Sequence, residues 1–180
     1  MNIYAILEQL RKRRNPVFTV SEIARASNLA KSCAIVYIKR MIDKGLLIRV
    51  AKGIYTLDND PILYASYIIP NSYISFNSAL YIHKVIDQIP TSIQVAVPKR
   101  VKKQVHQVQF ITLPKQAMFG YTKIDYKGYS IWVADVEKAI VDITYKYGPP
   151  HRPIRKMNEK KMRTYAERLG IPIEKLEVNQ

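Results

Sequence analysis

Ile3, Ile6, Leu7 and Leu10 recur at helical spacing, which predicts a first helix over residues 2–13. Arg11, Lys12, Arg13 and Arg14 load its end with cations, which suits the helix macrodipole and could equally meet phosphate. Asn15-Pro16 stops it, because proline disfavours the helical conformation in the residue before it. Thr19 followed three residues later by Glu22 is a capping box, so a short helix runs to about Ala26 with Ile23 and Ala24 inward. Asn28 and Leu29 form a turn. A third helix follows from Lys31 to Lys44, with Ile35, Ile38 and Ile42 as its buried stripe, Met41 beside it and Gly45 ending it. Leu46–Val50 and Ile54–Leu57 are β-type runs around Ala51-Lys52-Gly53, a hairpin with glycine in its turn.

Three helices, the last two joined by a tight turn, followed by a hairpin, is the order of a winged helix-turn-helix. In that unit the second helix of the pair enters the major groove, and its N-terminal residues meet base edges. Removing the predicted buried stripe leaves Lys31, Ser32, Cys33, Val36, Tyr37 and Arg40 on the outer face. Ser32 and Arg40 can hydrogen-bond bases or phosphates, while Val36 and Cys33 can touch a thymine methyl. Arg49 and Lys52, on or beside the wing, would reach phosphate or the minor groove. Winged helices also serve as protein-interaction modules, and Cys33 reads as a small packing residue rather than a redox sensor.

Asp58-Asn59-Asp60-Pro61 is a polar, turn-rich break. It divides the chain into residues 1–60, the DNA-binding unit, and residues 61–180, a mixed α+β domain; the expected fold class is α+β throughout. Residues 62–69 look at least partly helical. Tyr73-Ile74-Ser75 is an extended entry to a helix capped by Ser75 or Asn77 and carrying Ala79, Leu80, Ile82 and Ile86. Ile93–Val97 and Val105–Leu113 read as strands, and Tyr121–Tyr126 with Tyr129–Ala134 as a hairpin around Lys127-Gly128. Asp135 starts a helix ending near Gly148, with Asp135 as its cap and Glu137 in a first turn that favours negative charge. A last helix runs from Asn158 to Leu169.

Charge sharpens this picture. The 180 residues carry 29 Lys plus Arg against 14 Asp plus Glu, a net +15, which points to a polyanionic partner. The excess is not confined to the helix-turn-helix: the first 60 residues hold 11 against 5, and the rest 18 against 9. Lys99, Arg100, Lys102 and Lys103, with Arg155, Lys156, Lys160, Lys161 and Arg163, form a second basic surface that could follow phosphates or meet an acidic protein. Cys33 is the only cysteine, so an internal disulfide and a cysteine zinc cluster are excluded. Neither a secretory signal nor a membrane-spanning run is legible, so a cytoplasmic location is expected.

His83, His106 and His151 lack metal-ligand spacing, and no glycine-rich phosphate loop or serine elbow is present. Ser75 and Ser78 near His83 lack an orienting acid. No catalytic residue, metal or cofactor is expected.

GLLIRVAKGIYTL, SYISFNSALYIHKVIDQIP, IQVAVPKR and IWVADVEKAIVDI, in this order over residues 15–147, resemble the AbiEi abortive-infection antitoxins, also described as transcriptional regulators of viral defence systems. The match rests on Gly53 with Tyr55, on Ser78-Ala79-Leu80, and on Ala134-Asp135 with Glu137-Lys138-Ala139. The resemblance implies a non-enzymatic autorepressor that binds inverted repeats of double-stranded DNA at its promoter. It further implies a C-terminal domain that counters a nucleotidyltransferase-like toxin in a type IV system. The tail beyond Gly148 has no counterpart in this pattern, and a stand-alone winged-helix regulator or a protein-interaction module is the alternative.

Overall fold

Asn2 opens the chain's first helix, α1 (Ile3–Arg11), its side-chain oxygen accepting the Tyr4 amide. In the computed structural model, which describes residues 2–13, 15–150, 154 and 157–176, the capping box is complete. Thr19 Oγ1 accepts the Glu22 amide at 3.3 Å, and Glu22 Oε2 accepts the Thr19 amide at 2.7 Å. It starts α2 (Val20–Ala26) one residue after a two-residue strand, β1 (Phe18–Thr19), that the hydrophobic pattern does not announce. Asn28 takes a left-handed backbone (φ 50) in the turn, and α3 (Lys31–Asp43) follows. The wing-like hairpin is β2 (Ile48–Ala51) and β3 (Ile54–Thr56), closed by Lys52-Gly53 with Gly53 at φ 74. β3 lies between β1 and β2 in a three-stranded antiparallel sheet, with a register shift between Arg49 and Ala51.

The core under these elements joins Ile6, Leu7 and Leu10 of α1 to Phe18, Ile23, Ile38, Met41, Leu47 and Tyr55. Burying such side chains is worth about 1.5–3 kcal/mol each. The stripe of α3 differs from expectation. Ala34, Ile38 and Met41 are buried at spacings of four and three, whereas Ile35 is 55% exposed and Ile42 only partly buried. The small Ala34 takes the inward position, and the larger, more apolar Ile35 lies one residue round the helix.

The chain divides into two compact units, Met1–Ile68 with Asp125–Ile131, and Ile69–Ile124 with Trp132–Gln180. In the first, Asp60 caps α4 (Pro61–Tyr64) through Oδ1, and its Oδ2 takes Lys127 Nζ at 2.6 Å and the Tyr126 hydroxyl at 3.2 Å. A 3-10 turn, Ala65–Tyr67, follows α4.

The second architecture is mixed α+β. A five-stranded sheet runs β6-β5-β4-β8-β7, from β4 (Tyr73–Ile74), β5 (Ile93–Val97), β6 (Val108–Thr112), β7 (Tyr121–Tyr126) and β8 (Tyr129–Ala134). β4 is antiparallel to β5 and parallel to β8, and β5 is parallel to β6. The helices are α5 (Phe76–Ile82), α6 (Val136–Tyr147) and α7 (Glu159–Arg168). Asp135 caps α6 by accepting the Lys138 amide, and Asn158 caps α7. α5 ends earlier than expected: Lys84 is left-handed (φ 57), so Ile86 lies beyond the helix. Ser75 occupies the cap position of α5 but makes no cap bond, since its hydroxyl donates to Asp142 at 2.7 Å.

Candidate nucleic-acid interface

The core fixes which side of α3 is presented. With Ala34, Ile38 and Met41 inward, a turn of 3.6 residues puts Ser32, Val36 and Lys39 on the outermost row, with Ile35 and Arg40 on its flanks. Lys31, Ser32 and Cys33, in the first turn, are all exposed, as are Val36 and Arg40. Tyr37 is half-buried and lies under the Arg40 guanidinium, 5.6 Å from ring centroid to carbon, so its ring holds that cation in place. Cys33 is exposed, which corrects its reading as a packing residue. Lys39 and Ile35 were missed as members of this face. Lys39 was legible, being seven residues from Ser32; Ile35 was hidden by its own hydrophobicity.

The entry to α3 is open. Ala30 is its cap residue and supplies no side-chain hydrogen bond, and no acid stands in the first turn. Amide N–H groups at such an end carry partial positive charge and suit an anion. Asp43, the one acid on the helix, sits at the far end. Arg49 is exposed on β2, and Lys52 is exposed in the hairpin turn, where Gly53 supplies the left-handed conformation. Tyr55, the register partner of Arg49, is buried in the core cluster and anchors the hairpin, while Arg49 and Lys52 stay exposed to solvent.

The remaining basic candidates separate. Lys99, Arg100, Lys102 and Lys103 are exposed in the link between β5 and β6. Lys161 is engaged, its Nζ 2.7 Å from Asp135 and 3.5 Å from Glu137. Lys160 and Arg163 are exposed on α7, while Arg155 and Lys156 lie outside the described residues, as do Arg14, His151 and Arg152.

The second unit also buries a charged pair that no sequence reading assigned. Lys138 and Asp142, one turn apart on α6, form an ion pair with both side chains at 0% exposure. The Tyr73 hydroxyl is 3.1 Å and the Ser75 hydroxyl 2.7 Å from the same carboxylate. Burial pushes the Lys138 pKa down and the Asp142 pKa up, each opposed by its partner, and burial also raises Tyr73. The rings of Phe119 and Tyr73 stand 4.8 and 5.5 Å from the ammonium. Every polar atom here has a partner and none reaches solvent, so the cluster holds β4, α5 and α6 together. Glu137 likewise accepts the Asn158 amide at 2.7 Å, tying α6 to the cap of α7. Ser78 and His83 do not pair: Ser78 accepts the Gln94 amide, and His83 Nε2 lies 2.8 Å from the Ala134 carbonyl. Among the described residues, no three His, Cys, Asp or Glu side chains gather as a metal site.

A helix-turn-helix followed by a hairpin with exposed cations defines the first unit's class. Residues 6–57 match the sequence model of a family described as "Transcriptional regulator, AbiEi antitoxin". The match spans α1 to β3 and supports the resemblance drawn from GLLIRVAKGIYTL. No curated protein matches the chain. No helix among the described residues is long and apolar enough to cross a membrane.

Proposed function

We propose that this protein is a sequence-specific DNA-binding regulator, an antitoxin and autorepressor of a type IV toxin–antitoxin operon acting in the cytoplasm. Residues 1–60 are its reading unit. α3 enters the major groove with Lys31, Ser32, Val36, Lys39 and Arg40 toward base edges, and Arg49 and Lys52 grip phosphate from the hairpin. The observation that carries this reading is the outer row of α3. It is exposed, free of acid until Asp43, and begins at a helix end with no side-chain cap, within the segment that matches the regulator family. Inverted promoter repeats are the expected operator, and a nucleotidyltransferase-like toxin is the expected product of the adjoining gene.

A gel-shift with the chain's own upstream region tests the DNA half. Salt-sensitive, sequence-dependent retardation is expected; equal affinity for unrelated duplexes would refute it. The antitoxin half is tested separately by co-expression with the neighbouring gene product. Restored growth is expected, and continued arrest despite soluble protein would remove it.

A further inference from the structure

β6 closes one end of the five-stranded sheet; among the described residues its outer side carries an isolated bridge at its first residue, where the Val108 amide donates to the Val105 carbonyl at 3.1 Å, and no further strand. The Ile93 amide donates to the Gln107 carbonyl at 2.8 Å, and the Leu113 amide to the Val97 carbonyl at 3.0 Å. Alternate residues of a parallel ladder bond the same neighbour, so 107, 109, 111 and 113 serve β5. Phe110 and Thr112 therefore turn their N–H and C=O groups to the open side. Natural edges are blunted by charge, proline or a bulge. β6 reads VQFIT, has none of these, and is rich in strand-forming residues.

Two further observations select what would pair there. From Gln88 to Ile124 the chain has no Asp or Glu, but it carries Lys99, Arg100, Lys102, Lys103, Lys115 and Lys123. The first four are exposed in the link leading into β6, and no acidic side chain is paired with them among the described residues. Beside the same edge lies a cleft of about 1190 Å³, lined in part by Leu80, Ile89, Gln109, Ile143 and Tyr147, with Asp87 as its one acidic lining residue. Ile89 is 71% and Tyr147 59% exposed at its rim. Gln94 and Gln109, register partners on β5 and β6, both line it, so it opens on the face where an added strand would place alternate side chains.

We propose that the outer edge of β6 docks an extended, acidic segment of another polypeptide as a sixth strand. Its backbone pairs with Phe110 and Thr112, its carboxylates face the 99–103 link, and an apolar side chain enters the cleft at Ile89 and Tyr147. A second copy of this chain does not fit, because β6 against β6 would bring two acid-free basic stretches together. A nucleic acid would use the lysines but has no ladder of donors and acceptors for the strand. This site lies wholly in the second unit and does not depend on the DNA-reading role of α3.

The probe is a fluorescein-labelled peptide, Glu-Val-Glu-Val-Glu-Val-Glu, with a twin N-methylated at every interior amide and a 20-base-pair duplex for comparison. Fluorescence anisotropy with the full chain should give saturable binding of the parent peptide and at least tenfold weaker binding of the twin. Phe110→Pro, which removes an outward donor that the β5 ladder does not use, should weaken the parent at least tenfold. Lys102→Gln with Lys103→Gln should weaken it several-fold and flatten its salt dependence. The twin leaves the protein untouched, so the test stands even where Phe110→Pro does not fold. Equal binding of parent and twin would overturn the proposal, because charge alone would then explain it. So would the absence of saturable peptide binding, including the case in which only the duplex binds and needs Lys102 and Lys103.

Discussion

Lys138→Met should cost the second unit about 3–5 kcal/mol at pH 8, the range for removing one partner of a buried ion pair. The structure sets that magnitude. Both side chains are fully buried, so water cannot replace the lost ammonium. Methionine nearly preserves the volume packed against Phe119 and Tyr73, so little of the cost is cavity. Asp142 keeps only the Ser75 and Tyr73 hydroxyls, which donate hydrogen bonds but no charge. Burial already raises the Asp142 pKa against the pull of Lys138, and without Lys138 it rises further. The folded variant then holds a proton above the ordinary carboxylate range, where the unfolded chain has released it. Its stability therefore falls as pH rises through that window, and the penalty is smaller at pH 5 than at pH 8. Trp132 is the only tryptophan and lies in the second unit, so urea unfolding followed by its fluorescence reads the right element. Lys138→Met with Asp142→Leu should recover most of the loss, since an apolar pair leaves no charge unpaired. A single-variant cost below about 1 kcal/mol, the same cost at both pH values, or a double variant as poor as the sum of the singles would refute the reasoning.

Three further outcomes are expected. Arg40→Ala should lower affinity for the specific operator by about 1–3 kcal/mol and relax its specificity, whereas Lys52→Ala should weaken all duplexes alike and reduce the salt slope by about one; titrations at several salt concentrations separate the two. Ile35→Ser should change the stability of the first unit by no more than about 0.5 kcal/mol in thermal unfolding, because the side chain is already 55% exposed, while reducing operator binding in the same preparation. Thr19→Ala should cost about 1 kcal/mol in denaturant unfolding followed by circular dichroism, by removing the hydroxyl that accepts the Glu22 amide.

Local chemistry was legible and distant chemistry was not. Thr19 with Glu22, Asn158 and Asp135 announce helix starts because each cap bond closes within three residues. Lys127-Gly128 announces a hairpin because both residues take positive φ, 52 and 81, as a two-residue turn requires. The buried stripe of α3 was misread because hydrophobicity ranks Ile35 above Ala34, whereas the core takes up Ala34. The hydroxyl of Ser75 looked like a cap, and only the fold brings Asp142, 67 residues on, close enough to claim it. Two-residue β1 is too short for any periodicity. On the candidate interface, Lys31, Ser32, Val36 and Arg40 followed from helical geometry once the helix was placed, but Lys39 escaped until the inward side was fixed by Ala34.

The buried pair on α6 also constrains how this sequence can change by descent. Either partner exchanged alone leaves a stranded charge, so positions 138 and 142 are connected only through poorly folded intermediates. Gly120 joins them: its φ is +69, and a Cβ added there would meet carbons of the Lys138 side chain at 3.0–3.1 Å. An alanine at 120 would thus press on the lysine as well as strain its own backbone. Across relatives these three positions should be inherited as a block, kept together or exchanged together.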